Sequence, residues 1–211
     1  GVLKDDPNLE KLLSSGLPVV FVDVEINGNN SSYVISDNVL GAKKAVNYLY
    51  ELGHRKIGML VGINEAKPTK DRFIGYKQAL KDLELPYNSD WIFNGKYSEE
   101  GGYQATKEML KMEDLPTALF CQSDGMAIGA MRAIEDAGLK VPDDFSLVGF
   151  DDIEVSRYVK PTLTTVAQNK KKMGSSVTHI LMNMIDKTSQ DTSPVVLPVE
   201  LIERESCKCM E

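Results

Sequence analysis

Two adjacent carboxylates, Asp151 and Asp152, follow an apolar stretch at residues 145–150 that is too short to form a helix of its own. This pattern predicts a buried strand whose carboxyl end opens into solvent, where open α/β sheets bind their ligands. A carboxylate in that place accepts hydrogen bonds from hydroxyl groups, which suits a polyol or a sugar. The competing interpretation is that one Asp caps the following helix and the other is solvated.

The other residues capable of chemistry form no recognisable catalytic or metal site. No Gly-x-Gly-x-x-Gly or Walker-type loop follows a strand, and no Ser or Cys occupies a nucleophile elbow. His54 and His179 lack a Cys or an acid at metal-ligand spacing, and Cys207 and Cys209 form an isolated Cys-x-Cys near the C-terminus. We therefore expect no enzyme activity, no metal and no cofactor.

The composition is that of a soluble globular protein. The 211 residues are 42% apolar and 26% charged, which is enough for one large domain or two small ones. Lys and Arg number 24 against 31 Asp and Glu, so the net charge of −7 argues against this chain holding nucleic acid by itself. No apolar run is long enough to span a bilayer, and three cysteines cannot all pair within one chain, which favours a reducing compartment.

Strand-like and helix-like patterns alternate along most of the chain, which predicts an α/β fold of parallel sheets with helices on both faces. Apolar runs predict strands at residues 19–23, 33–35, 56–61, 91–93, 118–121 and 145–150. Helical periodicity occurs at residues 9–15, 39–52, 71–80, 100–112, 125–137 and 170–185. Small residues around Gly129 indicate close packing of their helix on the sheet. A last strand at residues 195–202 contains Pro198 and is expected at a sheet edge.

Seven short motifs lie along most of the chain. They are Leu-Gly-His-Arg-Lys-Ile (52–57), Arg-Phe-Ile-Gly-Tyr (72–76), Pro-Thr-Ala (116–118), Ser-Asp-Gly-Met-Ala-Ile-Gly (123–129), Val-Pro-Asp-Asp (141–144), Gly-Phe-Asp-Asp (149–152) and Pro-Thr-Leu-Thr-Thr (161–165). In order and spacing they resemble the lactose/galactose-repressor (LacI) family. The resemblance implies a two-lobed type I periplasmic-binding-protein-like fold, with a sugar or nucleobase effector in the cleft between the lobes.

The resemblance also implies how the chain divides. The N-terminal lobe is expected at residues 1–52 and 167–194, and the C-terminal lobe at residues 53–166 and 195–211. The family's helix-turn-helix, its hinge helix and the first βα units of its N-terminal lobe have no counterpart in this sequence. We therefore expect an incomplete N-terminal lobe, and operator DNA to be bound only through a domain that this sequence lacks.

The resemblance places five residues at positions of the family's effector site. Arg72 corresponds to an arginine that reaches effector hydroxyls, and Asp151 to the acid that binds sugar hydroxyls. Tyr97 lies where an aromatic often stacks on the sugar, although a partly exposed loop residue fits equally well. Ser123 stands where many members have the longer asparagine. Asp124 either faces the cleft or caps the next helix, and the cap is the preferred interpretation.

The resemblance predicts a homodimer, formed through Met126, Ala130, Ser156 and Tyr158 on the outer side of the C-terminal lobe. The predicted function is the effector-sensing domain of a cytoplasmic transcriptional repressor. The alternative is an extracytoplasmic sugar-binding receptor of a transporter, which shares the fold and the cleft but is a monomer. Some relatives sense a phosphocarrier protein rather than a free sugar. No contact with a membrane is expected.

Overall fold

The strands form two sheets within residues 7–26, 28–186 and 193–210, which are the residues that the computed structural model describes. In chain order the strands are β1 (Val19–Val22), β2 (Ser31–Ser36), β3 (Ile57–Val61), β4 (Ile92–Asn94), β5 (Ala118–Cys121), β6 (Ser146–Asp151), β7 (Thr164–Gln168), β8 (Val195–Leu197) and β9 (Val199–Ile202). The smaller sheet has the order β1-β2-β8, and the larger has the order β4-β3-β5-β6-β7-β9. The pairs whose register is defined are parallel, which confirms the predicted α/β class.

Helices connect most of these strands. They are α1 (Pro7–Ser14), α2 (Asn38–Glu51), α3 (Lys67–Asp82), α4 (Glu99–Met109), α5 (Asp124–Asp136) and α6 (Lys170–Asp186), together with 3-10 turns at Ser89–Trp91 and Glu154–Arg157. Because α3, α4 and α5 each follow a parallel strand, the carboxyl ends of β3, β4 and β5 meet at one edge of the larger sheet. In the described part of the chain, no helix combines the length and the apolar character that crossing a membrane requires.

The chain divides into two units. Unit 1 comprises the described parts of Gly1–Asp37, Glu65–Pro68 and Gln168–Val199. Unit 2 comprises the described parts of Asn38–Asn64, Thr69–Ala167 and Glu200–Glu211. Unit 1 contains the smaller sheet with helices on both faces: Val34 packs with α6, and Phe21 packs with Leu9 of α1.

Unit 2 is built around the central strands β3, β5 and β6, which are buried along almost their whole length, as expected of parallel strands covered on both faces. Leu119 and Leu147 lie in the core cluster that α4 and α5 cover. Because side chains alternate along a strand, Phe120 and Phe150 point to the other face. There Phe150 contacts α2, where a Cβ on Gly41 would lie 2.6 Å from its ring.

Helices α4 and α5 cross with their backbones in contact. A Cβ on Gly129 would lie 2.0 Å from the carbonyl oxygen of Glu99, and one on Gly102 would lie 2.2 Å from that of Met126. Only residues without a side chain permit this approach. The close packing predicted around Gly129 therefore exists, but Gly129 faces α4 rather than the sheet.

The unit boundaries differ from the predicted lobe boundaries mainly at residues 38–52 and 195–199, and also at residues 65–68 and 167. Helix α2 belongs to unit 2 rather than to the N-terminal unit, because Gly41 packs on Phe150 and the carbonyl of Val39 lies against Gly75 of α3. The single strand predicted at residues 195–202 is two strands that meet at Pro198. Strand β8 pairs with β2 in unit 1, and β9 forms an edge of the larger sheet, so residues 195–199 do not belong to the C-terminal unit.

Candidate functional site

Arg72 lies in the first two turns of α3 with its guanidinium held on three sides. Its Nε donates to Asn38 Oδ1 at 2.8 Å, and its Nη1 donates a short hydrogen bond to the carbonyl oxygen of Gln122. Its Nη2 lies 3.5 Å from Asp151 Oδ1, and its Cζ lies 3.6 Å from the centre of the Phe150 ring. A guanidinium with this many partners is fixed in direction, and two of its five N–H groups have no role in these contacts.

Asp151 closes β6 in an unusual backbone conformation. Its φ of 110° lies in a region that favours glycine, and Asp152 follows with a φ of 46°. The side chain of Asp151 is 25% exposed, whereas that of Arg72 is 5% exposed, so the carboxylate is the more accessible member of the pair. Strained backbone of this kind persists where the surroundings over-determine it, and it is concentrated at ligand sites.

Asp152 is the residue that holds this turn in place. Its Oδ1 accepts from Arg204 Nη2 at 2.5 Å and its Oδ2 from Arg157 Nη2 at 2.8 Å, while Arg204 Nη1 also donates to the carbonyl oxygen of Leu163. Burial acts to raise the pKa of Asp152, but the hydrogen bonds and charges of Arg204 and Arg157 outweigh it and lower the pKa. Asp152 therefore has a structural role.

Tyr97 reaches the same edge of the sheet from the loop after β4. Its hydroxyl lies 2.7 Å from Thr69 Oγ1 and 3.5 Å from Gln122 Oε1. Its ring covers Gly62 so closely that a Cβ there would lie 2.1 Å from the ring. The residue is half-buried and has a φ of 56°. Tyr97 thus lies beside Thr69 and Gln122, the neighbours of Arg72, and its stacking on a ligand stays a prediction.

The structure corrects the predicted roles of Ser123 and Asp124. Ser123, and not Asp124, is the N-cap of α5, because its Oγ accepts from the backbone N–H of Met126 at 3.3 Å. Asp124 is fully buried, and its Oδ2 accepts from the backbone N–H of Ile153 and from Ser156 Oγ, both at 2.8 Å. A carboxylate occupied in this way neither faces a cleft nor caps the helix.

The second oxygen of Asp124 is also occupied, since Thr165 Oγ1 donates to its Oδ1. Burial raises the pKa of Asp124 to about 6, although the hydrogen bonds from Thr165, Ile153 and Ser156 act to lower it. The folded protein therefore binds this proton more tightly than the unfolded chain does. The stabilisation is fully present below the ordinary pKa of 3.8 and is lost as the pH rises through about 6.

We expect Asp124→Asn to remove this pH dependence. Between pH 4.5 and pH 7.5 the unfolding free energy of the wild type, measured relative to that of the variant, should fall by about 2 kcal/mol. Urea unfolding at several pH values measures this difference. The comparison with the variant is needed because burial lowers the pKa of His54, which makes the stability of both proteins rise with pH. Subtracting the variant removes this contribution. A constant difference across the range would contradict the prediction.

Three of the four predicted dimer residues are also corrected. Met126, Ala130 and Ser156 are fully buried inside unit 2, so they cannot contact a second copy while the unit stays folded. Tyr158 is 72% exposed and remains a candidate. Helical periodicity explains the error: the face of α5 that carries Met126 and Ala130 packs inward, so the outward face is that of Ile128 and Arg132.

Several residues of the site were not predicted. Asn38 and Phe150 orient Arg72, and Thr69 and Gln122 contact Tyr97. One signal was present for Gln122, a polar residue directly after the buried strand β5, as Asp151 ends β6. Among the residues that the structure describes, no three His, Cys, Asp or Glu side chains lie together as a metal site requires.

Comparison with known proteins identifies related chains. A family model for a periplasmic binding protein-like domain matches residues 46–207. The chain is 38% identical over 198 residues to the HTH-type transcriptional repressor PurR of Haemophilus influenzae strain PittEE, an alignment that covers 92% of this chain and 58% of that protein. The chain thus spans less than two thirds of the length of the curated relatives that it matches.

Two solved structures have a similar fold. One is a LacI family transcriptional regulator from Enterococcus faecium with bound ribose, with a TM-score of 0.90 and 30% identity, covering 99% of this chain and 78% of that one. The other is the lac repressor dimer bound to operator and the anti-inducer ONPF, with a TM-score of 0.85 and 30% identity, covering 96% of this chain and 70% of that one.

Proposed function

Because the chain belongs to the LacI family of transcriptional regulators, as part of its periplasmic-binding-protein-like effector domain, we propose that it senses a sugar or a related polar small molecule. In this proposal, effector binding changes the affinity of the complete repressor for operator DNA by shifting the population of its conformations. The chain would then function as a cytoplasmic regulatory domain.

The observation that supports an effector site best is the pairing of Arg72 with Asp151 at the carboxyl end of the larger sheet. The carboxylate accepts hydrogen bonds from ligand hydroxyls, and the guanidinium donates them, so the pair can bind both hydroxyl and ring oxygens of a sugar. Tyr97 adds a half-buried aromatic ring at the same edge. Charged hydrogen bonds beside a ring are suited to a neutral, hydroxyl-rich ligand.

The related proteins favour the repressor over the transporter receptor. The PurR relative is described as a repressor, and the relative with bound ribose as a transcriptional regulator. Neither of these two relatives is described as an enzyme. Because the relatives are longer than this chain, we propose that operator contact belongs to a region outside these 211 residues.

We propose a homodimer formed through the outward face of α5 and the segment that follows β6. A surface groove of about 360 Å³ lies there, lined by residues that include Ile128, Arg132, Val159 and Pro161. Tyr158, next to this groove, is 72% exposed. The groove is lined by both apolar and charged side chains, and a large exposed aromatic residue next to such a surface is typical of a protein interface.

Tyr158→Asp is expected to convert the dimer to a monomer, because it would replace a large aromatic side chain, of the kind that contributes most to interfaces, with a small charged one. Sedimentation velocity measures the change. Tyr87→Asp is the matched control, since Tyr87 is also exposed, at 49%, but lies after α3. A Tyr158→Asp protein that sediments as a dimer would show that this face is not the interface.

A thermal-shift screen against sugars, sugar phosphates and purines tests the proposed function. A ligand that binds only the folded protein raises the melting temperature by mass action, by an amount equivalent to about 2.7 kcal/mol at a hundredfold excess over Kd. A shift with one sugar would identify the class of effector. If no compound produces a shift, the small-molecule proposal fails, and a phosphocarrier protein becomes the partner to test.

A further inference from the structure

Gln122 is a buried side chain whose amide joins two ends of one chain segment. It follows β5 directly and is fully buried. Its Oε1 accepts from the backbone N–H of Gly62 at 3.0 Å, and its Nε2 donates to the carbonyl oxygen of Thr69 at 3.0 Å. Gly62 follows β3 and Thr69 lies in the first turn of α3. The amide is thus hydrogen-bonded to both ends of the connection between β3 and α3.

The segment that Gln122 closes carries part of the candidate site. Thr69 and Arg72 are three residues apart in α3, so they lie on the same face of the helix. Thr69 Oγ1 also bonds the hydroxyl of Tyr97, which lies 3.5 Å from Gln122 Oε1. Two site residues from different segments, Arg72 in α3 and Tyr97 in the loop after β4, therefore depend on one amide for their placement.

Chemistry and length both make glutamine suitable for this role. A carboxamide offers one acceptor and one donor group, which match the backbone N–H of Gly62 and the carbonyl of Thr69. An apolar side chain would leave the buried N–H of Gly62 without this partner, which costs about 1–3 kcal/mol, and would remove the hydrogen bond that the Thr69 carbonyl accepts from outside its helix. A shorter polar side chain would not span both groups.

We propose that Gln122 is a positioning residue of the effector site: by joining Gly62 to Thr69, its amide fixes the first turns of α3 and so the direction in which Arg72 points. Gln122 does not touch the effector, because it is fully buried and its polar atoms face protein groups. This inference rests on the proposed function only for its effect on ligand affinity. The geometry of Arg72 can be measured without a ligand.

The central experiment compares Gln122→Met with Ser206→Ala as a matched control. Methionine has nearly the same length and volume but forms neither hydrogen bond. Ser206 is also fully buried, and its Oγ also bridges two backbone groups, by donating to Leu147 O at 2.6 Å and accepting from Thr164 N at 2.9 Å. It contacts the start of β6, four residues before Asp151, so its loss reduces stability without touching the site.

The readout is the exchange rate of the Arg72 Nε–H with water, measured by NMR and compared with the amide exchange of β3 and β5. Gln122→Met should speed Arg72 exchange about tenfold while the strand amides keep their protection. Ser206→Ala should lower the melting temperature but leave Arg72 exchange unchanged. An unchanged exchange rate of the Arg72 Nε–H in Gln122→Met would overturn the proposal. An increase matched by an equal increase in the amide exchange rates of β3 and β5 would also overturn it.

A second variant and a ligand measurement complete the test. If Gln122→Met does not fold, Gln122→Asn decides, because it keeps a neutral amide that is too short to join Gly62 and Thr69; it too should speed Arg72 exchange. Ribose, cellobiose and guanine are the ligand probes. Any probe that binds the wild type should bind Gln122→Met about tenfold more weakly and Ser206→Ala with unchanged affinity. If none binds the wild type, the sugar or nucleobase function fails for these probes, and the exchange measurement still decides the role of Gln122.

Discussion

Gly129→Ala should lower the free energy of unfolding by about 3 kcal/mol, because its new methyl group would overlap the backbone of the neighbouring helix. The added Cβ would lie 2.0 Å from the carbonyl oxygen of Glu99 and 2.8 Å from the amide nitrogen of Tyr103. Both are backbone atoms of α4 and cannot move as the end of a flexible side chain can. Helices α4 and α5 must separate to admit the methyl group, and the contacts of both helices with the core weaken together.

Chemical denaturation at constant pH measures this loss, and Gly174→Ala is its control. Gly174 is also a helical glycine, in α6, but a Cβ there meets no atom within 4 Å. Alanine at that position should stabilise the protein by about 0.5–1 kcal/mol, since it restricts the unfolded chain and favours the helix. If Gly129→Ala changes the free energy of unfolding as little as Gly174→Ala does, α4 and α5 do not approach each other as closely as the structure shows.

Arg72→Ala and Asp151→Ala should each weaken effector binding by more than about 1.5 kcal/mol, which is more than a tenfold rise in Kd. Each removes a charged partner from hydrogen bonds to a neutral ligand, and each leaves the opposite member of the pair without its counter-charge. Isothermal titration with the effector found by the screen measures the change. Affinity equal to that of the wild type in both variants would exclude this edge of the sheet as the site.

Asp151→Gly separates the loss of the carboxylate from the strain of the backbone. Glycine adopts a φ of 110° without strain, so this variant should retain the fold while losing the effector. Asp151→Ala keeps the strain, which costs about 1–3 kcal/mol in such conformations, and should be the less stable of the two. Equal loss of binding in both variants, with different melting temperatures, is the expected outcome.

The sequence predicts the helices and strands of this fold well, but it predicts less well which of the two units each of them belongs to. Buried strands such as β5 and β6 are visible as short apolar runs, and their alternation with helices predicts parallel pairing. Residues 195–202 show the limit of this reasoning: Pro198 predicts an edge, but only the structure shows one apolar run split between two sheets. The assignment of α2 to unit 2 depends on its contact with Phe150, which is distant in the sequence. Hydrophobic periodicity shows which face of α2 is buried but not what it packs against.

The candidate site shows a similar limit. Arg72 and Asp151 were predicted separately, from motifs 79 positions apart, and the structure places them 3.5 Å apart. Asp124 was placed at the helix start correctly but given the wrong partners, because a carboxylate there can bond the helix or the neighbouring strand equally well. The position of Gln122 directly after a buried strand marks it as polar, but the two backbone groups that its amide joins are visible only in the structure.

Each of the two units is assembled from segments that are far apart in the sequence, which affects how the chain can fold while it is being synthesised. Unit 1 needs residues up to 199, and unit 2 needs residues from 200 onward, including the edge strand β9. Neither unit can be complete before these residues have been translated, so the nascent chain carries open sheet edges until then, which favours aggregation. Arg204, whose guanidinium holds Asp152 and with it the turn of Asp151, is translated after Arg72 and Asp151. The turn that carries Asp151 is therefore held by Arg204 only after both members of the Arg72–Asp151 pair have been made.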